Sequence, residues 1–449
     1  MAGKWLPLFV SSLAFCGVSQ VDPSRVVSVP QVPRPAYLQP ITDPTFGTRI
    51  VRIADDSGRP VAWSDSAGGD GVWSEISRHH FADDQPWNSD GTLLVLQNLA
   101  GRPHDIYLDG TTYRPKFGRP GNFDVGDDRW HPSPQHPHER ISLNRAGTRL
   151  EWFDVVRRLQ TRVWELPFAV ALELEMNPSR DGRFAALFDE SRMFVVDMDP
   201  QPPLTGYARG NARIGPVRAI PACALEDGGD HRVTWVAVSP SARYVVVHYR
   251  GDHLRVFDLD PGTLAITARR MPSDSTLRPG LDPANGFILG LGHADMTLNP
   301  FDQGEDVIVG QRRSEYPRVI RDVPLGSVVM VRLRDGHVTT LTDPVREASS
   351  FHVSARNFDR PGWVYVTYYP GGGKRFGDEI VAVKLDGSRS VERLGHTHSD
   401  AVKLYRAEPH GVPSRDGRRV VFASNWSSNA GASAGPRDEI KAYVIEGPK

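Results

Sequence analysis

An all-β fold, a seven-bladed β-propeller, is what the 449-residue sequence predicts, and three features predict it. A polar turn followed by a short apolar strand returns seven times along the chain. Glycine and proline, 42 and 37 residues, are spread as turn punctuation rather than gathered in one tract, which favours many short strands over long helices. Apolar positions alternate or run nearly continuously over five or six residues, the pattern of a strand packed between neighbouring sheets.

The turns come first in the argument because they set the repeat. WNSDGTLLVLQN surrounds Gly91, SPQHPHERISLN His138, NPSRDGRFAALF Gly182 and SPSARYVVVHY Ala242. NPFDQGEDVIVG, NFDRPGWVYVTYY and PSRDGRRVVFAS follow at Gly304, Gly362 and Gly417. The intervals of roughly 44 to 62 residues suit large propeller blades. Each copy continues with a second strand, a turn and a further strand, as in HLRVFDLDPG with LAITARR and EIVAVKLDGS with SVERLG. Each unit thus reads as four strands: A before the turn, B after it, then C and D. The last copy, DEIKAYVIEG, ends after its third strand, and GTRIVRIADD near the N-terminus offers the missing one. A ring closed that way removes two exposed sheet edges. The irregular second unit keeps counts of six or eight open.

Residues 1–19 carry Lys4 ahead of an apolar run from Trp5 to Val18. The run is too short to span a bilayer and suits a signal peptide, with a disordered leader as the alternative. The expected location is secreted or periplasmic. Residues 20–44 are proline-rich and polar and read as an extended arm, and 45–449 as the propeller. Cys223 would keep no partner once Cys16 is removed with the leader. A net charge of -1 provides no basic field for nucleic acid, no other segment reads as a membrane span, and a monomer is expected.

Ligands bind propellers where the loops entering strand A open at one mouth of the channel. The segments roughly seven to twelve residues ahead of the seven turns hold His79, His80, Arg129, Trp130, Glu173, Glu175, His231, His293, Asp295, His352, Arg356, Arg406, Glu408 and His410. Most of these segments carry one or two of the chain's 15 histidines. His293, His352 and His410 are expected on one rim. With Glu408 or Asp295 they form a donor set for a divalent metal, Mn or Zn with Ca not excluded. Without metal, the same histidines with Arg129 would bind an anionic sugar directly. His396 and His398, in LGHTHSD, have the spacing of a metal pair within a loop, and His131, His136 and His138 lie in a proline-rich turn read as exposed.

HHFADDQPWNSDG, GHADMTLNP, FHVSARNFDRPGWVYV and EPHGVPSRDGRRVVFASNW together resemble the oligogalacturonate-lyase and ulvan-lyase group of seven-bladed propellers. The resemblance spans all blades as architecture and these four segments as motif. It implies a divalent metal held near the channel mouth, with His293 and His410 in the places of ligand histidines. Glu408 stands where the oligogalacturonate lyases have a second histidine and Tyr405 where they have a glutamine. In ulvan lyases, histidines, a tyrosine and an arginine act without a catalytic metal, for which this chain offers His79 or His80, Tyr405, and Arg129 or Arg406.

The chemistry implied is β-elimination on a uronate-containing polysaccharide or oligosaccharide. The carboxylate must be neutralised before C5 loses its weakly acidic proton, and an acid must meet the departing 4-linked oxygen. On this reading His293, His352, Glu408 and His410 neutralise the carboxylate, Arg129 or His80 serves as base or clamp, and Tyr405 is the acid. Trp130, Asp295 and Arg356 are expected to contact substrate, and Trp63, Trp73 and Trp426 to offer stacking faces. Two other classes stay open: a non-catalytic propeller that binds a glycan or protein, and a different metal-dependent enzyme such as a hydrolase.

Overall fold

The computed structural model describes residues 21–65, 69–123, 125–172, 177–199, 213–223, 232–269, 286–313, 323–344, 351–369, 373–401, 404–427 and 439–447. The leader with Cys16 lies outside them, as do Glu173, Glu175 and His231. The chain is all-β. Among the described residues, helix is confined to the 3-10 turns Pro300–Asp302 and Tyr405–Ala407, and no helix is long and apolar enough to cross a membrane.

The strands form mainly antiparallel sheets built from consecutive segments, most of four strands, and a short parallel pairing of Ile76–Arg78 with Ile440–Glu446 joins the first to the last. Ile76–Arg78, Leu93–Leu99, Asp105–Asp109 and Pro115–Gly118 pair in that order. Asp127–Trp130, Glu139–Leu143, Arg149–Asp154 and Leu159–Glu165 do the same. Phe184–Phe188 and Arg192–Asp197 follow with two short partners. Val233–Val238, Tyr244–Tyr249, His253–Asp260 and Ala265–Ala268 come next. Gly292–Asn299 opens the sheet completed by Glu305–Gln311, Val328–Arg332 and Val338–Thr340. Phe351–Ser354 opens the one completed by Trp363–Tyr368, Glu379–Lys384 and Val391–His396. Val412–Pro413, Arg419–Ser424 and Ile440–Glu446 end the chain. Ile440–Glu446 also takes Arg49–Arg52 from the opposite chain end as an antiparallel neighbour, Val51 opposite Val444. Sheets wound one after another from local hairpins fit a β-propeller.

The repeated turn explains why the hairpins form. In four copies the first turn residue (Asn88, Ser179, Ser239 or Ser414) accepts, at its carbonyl, the N–H of the residue three positions on. The side-chain oxygen of the same residue takes the first N–H of strand B: Asn88 from Leu93, Ser179 from Phe184, Ser239 from Tyr244 and Ser414 from Arg419. The fourth turn position must be left-handed. Glycine meets that need at Gly91, Gly182 and Gly417, whereas Ala242 adopts φ +59° against the steric preference of an L-residue.

Between sheets the facing sides are apolar. Trp152, Phe194, Val245 and Phe257, drawn from three successive sheets, share one buried cluster. Near the chain ends, Ile50, Tyr443 and Phe422 pack with Trp426. The segment 21–44 lies along the last two sheets. Arg393 there forms a buried pair with Glu379 and donates to the carbonyls of Asp22 and Arg25.

Candidate functional site

In the sheets whose strand A is described, that strand starts at one mouth, and strand B, running antiparallel, ends there. Four side chains meet on that geometry. His293 starts Gly292–Asn299, His352 lies in Phe351–Ser354, and His410 precedes Val412–Pro413. The rings of His293 and His352 stack at 3.9 Å with 5° between their planes. His352 and His410 meet edge to face at 4.2 Å. Phe81 closes on both, 5.2 Å from His352 and 4.5 Å from His410. His293 and His410 hold left-handed backbones, φ +49° and +46°, a strain that gathers at functional sites when the surroundings enforce it.

Hydrogen bonds assign the ring protons. A guanidinium can only donate. Arg78 Nη2 lies 2.7 Å from His410 Nδ1, so Nδ1 accepts and Nε2 carries the proton, donating to Glu408 Oε2 at 3.0 Å. Arg313 Nη1 lies 3.0 Å from His293 Nε2, so His293 donates from Nδ1 to the Phe351 carbonyl at 2.9 Å. His79 Nε2 faces the carbonyl of His410 at 2.6 Å and therefore donates to it. The Tyr369 hydroxyl lies 3.0 Å from His352 Nδ1. The site histidines are neutral. Burial, with His293 and the arginines adding to it, holds His352 well below the ordinary imidazole value. Burial does the same for His410, aided by His352 and Arg78, and it lowers His293 to about 4 and His79 to about 3. Burial raises the Glu408 carboxyl, against Tyr369 and Arg78.

Beside this group opens a cavity of about 370 Å³ lined by His293, His352, Arg313, His248, Asp252 and Trp235, among others. Arg313 is held to Asp252 by a fork, Nη2 to Oδ1 at 2.9 Å and Nε to Oδ2 at 3.2 Å. His248 lies flat on Trp235, 5.1 Å between centroids at 9°. Its Nδ1 is bonded to the Thr234 hydroxyl, and its Nε2 stands 3.8 Å from Asp252 Oδ1. Burial lowers His248 to about 4.

His352, Glu408 and His410 each offer a ligand atom, all within 4.8 Å of one another, a donor set that zinc or manganese accepts. His293 stands outside that group, with Phe351 and Arg313 on its two nitrogens. The ring protons do not suit a metal. An ion on His410 Nε2 would displace the proton shared with Glu408 and move the ring N–H to Nδ1, where Arg78 already points a donor. An ion on Nδ1 would collide with Arg78 itself.

The remaining expected residues are placed as follows. Arg129 is buried and bonded to Asp127 at 2.6 Å, with Asp84 at 3.7 Å. Its charge is already matched, which argues against a role as base. Trp130 is buried, its Nε1 donating to the Pro86 carbonyl, so it presents no stacking face; Trp73 and Trp426 are likewise buried. Asp295 and Arg356 pair with each other, Nη2 to Oδ1 at 2.5 Å, inside the channel wall. Burial raises Asp295 to about 6 against the pull of Arg356. His80 pairs with Asp84 at 3.2 Å. Tyr405 is 64% exposed with its ring 6.4 Å from His410. Arg406 is exposed and contributes its carbonyl to Arg78. His131 is buried, contrary to the exposed position read for it, because its ring packs beneath Gly182. His396 and His398 are buried as well.

Sequence reasoning missed Arg78, Arg313, Tyr369, His248, Asp252 and Trp235. Arg78 adjoins His79. Arg313 and Tyr369 follow strands B directly and His248 lies near the end of one, so the ends of strands B were the signal to read.

No family model and no curated protein sequence matches the chain. Among solved structures, the chain is similar to an oligogalacturonate lyase from Vibrio parahaemolyticus (10% identity, 92% of this chain and 96% of that one, TM-score 0.49). It is also similar to an oligogalacturonate lyase in complex with manganese (10% identity, 93% and 98%, TM-score 0.46) and to the WD40 domain of Neurospora crassa Pan2 (13% identity, 83% and 90%, TM-score 0.46).

Proposed function

We propose that this chain is an exported seven-bladed propeller, closed by Arg49–Arg52 beside Ile440–Glu446, that cleaves a uronate-containing glycan by β-elimination. One observation carries the reading. Histidines distant in sequence, His293, His352 and His410, meet two arginines, Arg78 and Arg313, beside a cavity. A binding scaffold has no need for so many buried, neutral imidazoles beside guanidinium groups, whereas a lyase needs both proton carriers and fixed positive charge. The motif likeness of GHADM and EPHGVPSRDG to the lyase group supports the same reading.

The roles follow from the partners. Arg313 supplies the donors and, with Arg78 behind His410, the charge that a sugar carboxylate requires as negative charge spreads into it. His248 is the base. Its Nδ1 is tied to Thr234, and Asp252, close to Nε2, stabilises the imidazolium formed when Nε2 takes the C5 proton. The C5–H electron pair forms the new C4–C5 double bond, the C4–O bond breaks, and the exposed Tyr405 hydroxyl protonates the departing oxygen. No step is routed through a metal.

The test is ultraviolet absorbance of the unsaturated product on pectate, ulvan and glucuronan, with and without EDTA. Rising absorbance on one of them supports the lyase reading. A flat trace on all three, with retained binding to one, supports a non-catalytic glycan binder instead.

A further inference from the structure

We infer that Arg78 bars a divalent ion from the His352–Glu408–His410 group, so that this mouth works with guanidinium charge in place of a metal. The geometry points there through three observations. The first is tautomeric. Arg78 cannot accept a hydrogen bond, so its 2.7 Å contact fixes His410 as the Nε2–H form, with that proton directed at Glu408. A ligand histidine requires the reverse, with the metal on one nitrogen and an acceptor opposite the other N–H.

The second is electrostatic. Arg78 is buried, and its four hydrogen bonds go to the carbonyls of His79, Arg406 and Glu408 and to the His410 ring. None of these bonds goes to a carboxylate, and the nearby Glu408 carboxylate is shared with the His410 N–H, so a buried cation stands one imidazole away from the position a metal would take. Such a charge repels a second cation and attracts a carboxylate. The third is repetition. Two inner strands away, Arg313 donates to His293 Nε2, the nitrogen left for a metal once Nδ1–H is given to the Phe351 carbonyl, with Asp252 behind the guanidinium. Two of the three clustered histidines therefore carry a guanidinium donor on a ring nitrogen, on His410 where a metal ligand would have its N–H and on His293 at the position of the metal itself.

That Arg78 and Arg313 meet an anionic substrate rests on the lyase reading; the exclusion of metal does not. The experiment separates them by using no substrate. The purified full chain is incubated with excess zinc or manganese chloride, desalted, and its metal content measured by mass spectrometry. The wild-type protein is expected to retain well under one equivalent. Arg78→Met is expected to gain zinc, and Glu408→Gln in that background to lose it again. Retention of one equivalent by the wild type, lost on Glu408→Gln alone, overturns the inference, as does a folded Arg78→Met variant that gains none. Should Arg78→Met not fold, long-range nitrogen NMR of the wild-type histidines decides: an Nε2–H tautomer at His410 supports the inference, and an Nδ1–H tautomer overturns it.

Discussion

Two groups of histidines in this chain share a residue type and, His293 apart, deep burial, yet meet opposite kinds of partner. At the channel mouth, His293, His352 and His410 stack on one another beside a cavity and bond to Arg313, Tyr369 and Arg78. On the flank, His396 ends the strand Val391–His396 and His398 follows, both fully buried. His396 is bonded through Nδ1 to Asp43 at 2.9 Å, and His398 lies against the Trp426 ring at 4.2 Å. The bond of His396 to Asp43 fastens the N-terminal segment to the sheets. Spacing alone marks both as metal-like. The partners differ: on the flank a carboxylate from the arm holds His396 and an indole covers His398, with His396 Nε2 and both His398 nitrogens buried and unbonded, whereas at the mouth guanidinium groups bond the rings beside open space.

The largest test of this contrast is catalytic. If the lyase reading holds, His248→Gln should lower kcat by about 10²–10⁴-fold, the usual worth of a positioned base, while His398→Gln leaves kcat per folded molecule unchanged. Equal losses in both would erase the distinction. Stability should show the mirror image. Asp43 is buried, and besides His396 it accepts the backbone N–H groups of Thr45, Phe46 and His396. Asp43→Ala should cost about 3–5 kcal/mol in urea unfolding, because one partner of a buried pair is removed.

Acid should loosen the mouth, and through His398, held at about 3 by burial, the flank as well. His293 and His79 are held at about 4 and about 3 from an ordinary 6.5. The unfolded chain therefore binds protons there that the folded chain does not, and stability falls as pH drops from about 6.5 toward about 4. Thermal unfolding should show that slope, and His293→Gln should flatten it. Asp43, lowered by its bonds to His396 against the cost of burial, loses its contribution only below the ordinary carboxylate range. The smallest effect belongs to an exposed pair: removing Arg389 from Asp343 should change unfolding free energy by no more than about 0.5 kcal/mol. A larger change would mean that burial is a poor guide in this chain.

The sequence determined the hairpins and the positions of the histidines along them. The turn residues Asn88, Ser179, Ser239 and Ser414 act within a few residues of themselves, so local hydrogen bonding made the repeat legible. The same period put His293, His352 and His410 at the starts of inner strands. Only the tertiary structure decided what those rings would touch. Arg78 reaches His410 across 332 positions, and Arg313 binds an Asp252 from the preceding sheet, contacts that no local pattern encodes. It also decided that Arg129 and Trp130 serve the wall rather than the opening, since burial and a matched charge follow from which sheets become neighbours. Periodicity tells where a side chain sits in its own strand, but proton position and charge balance depend on groups that only the folded chain brings within a few ångströms.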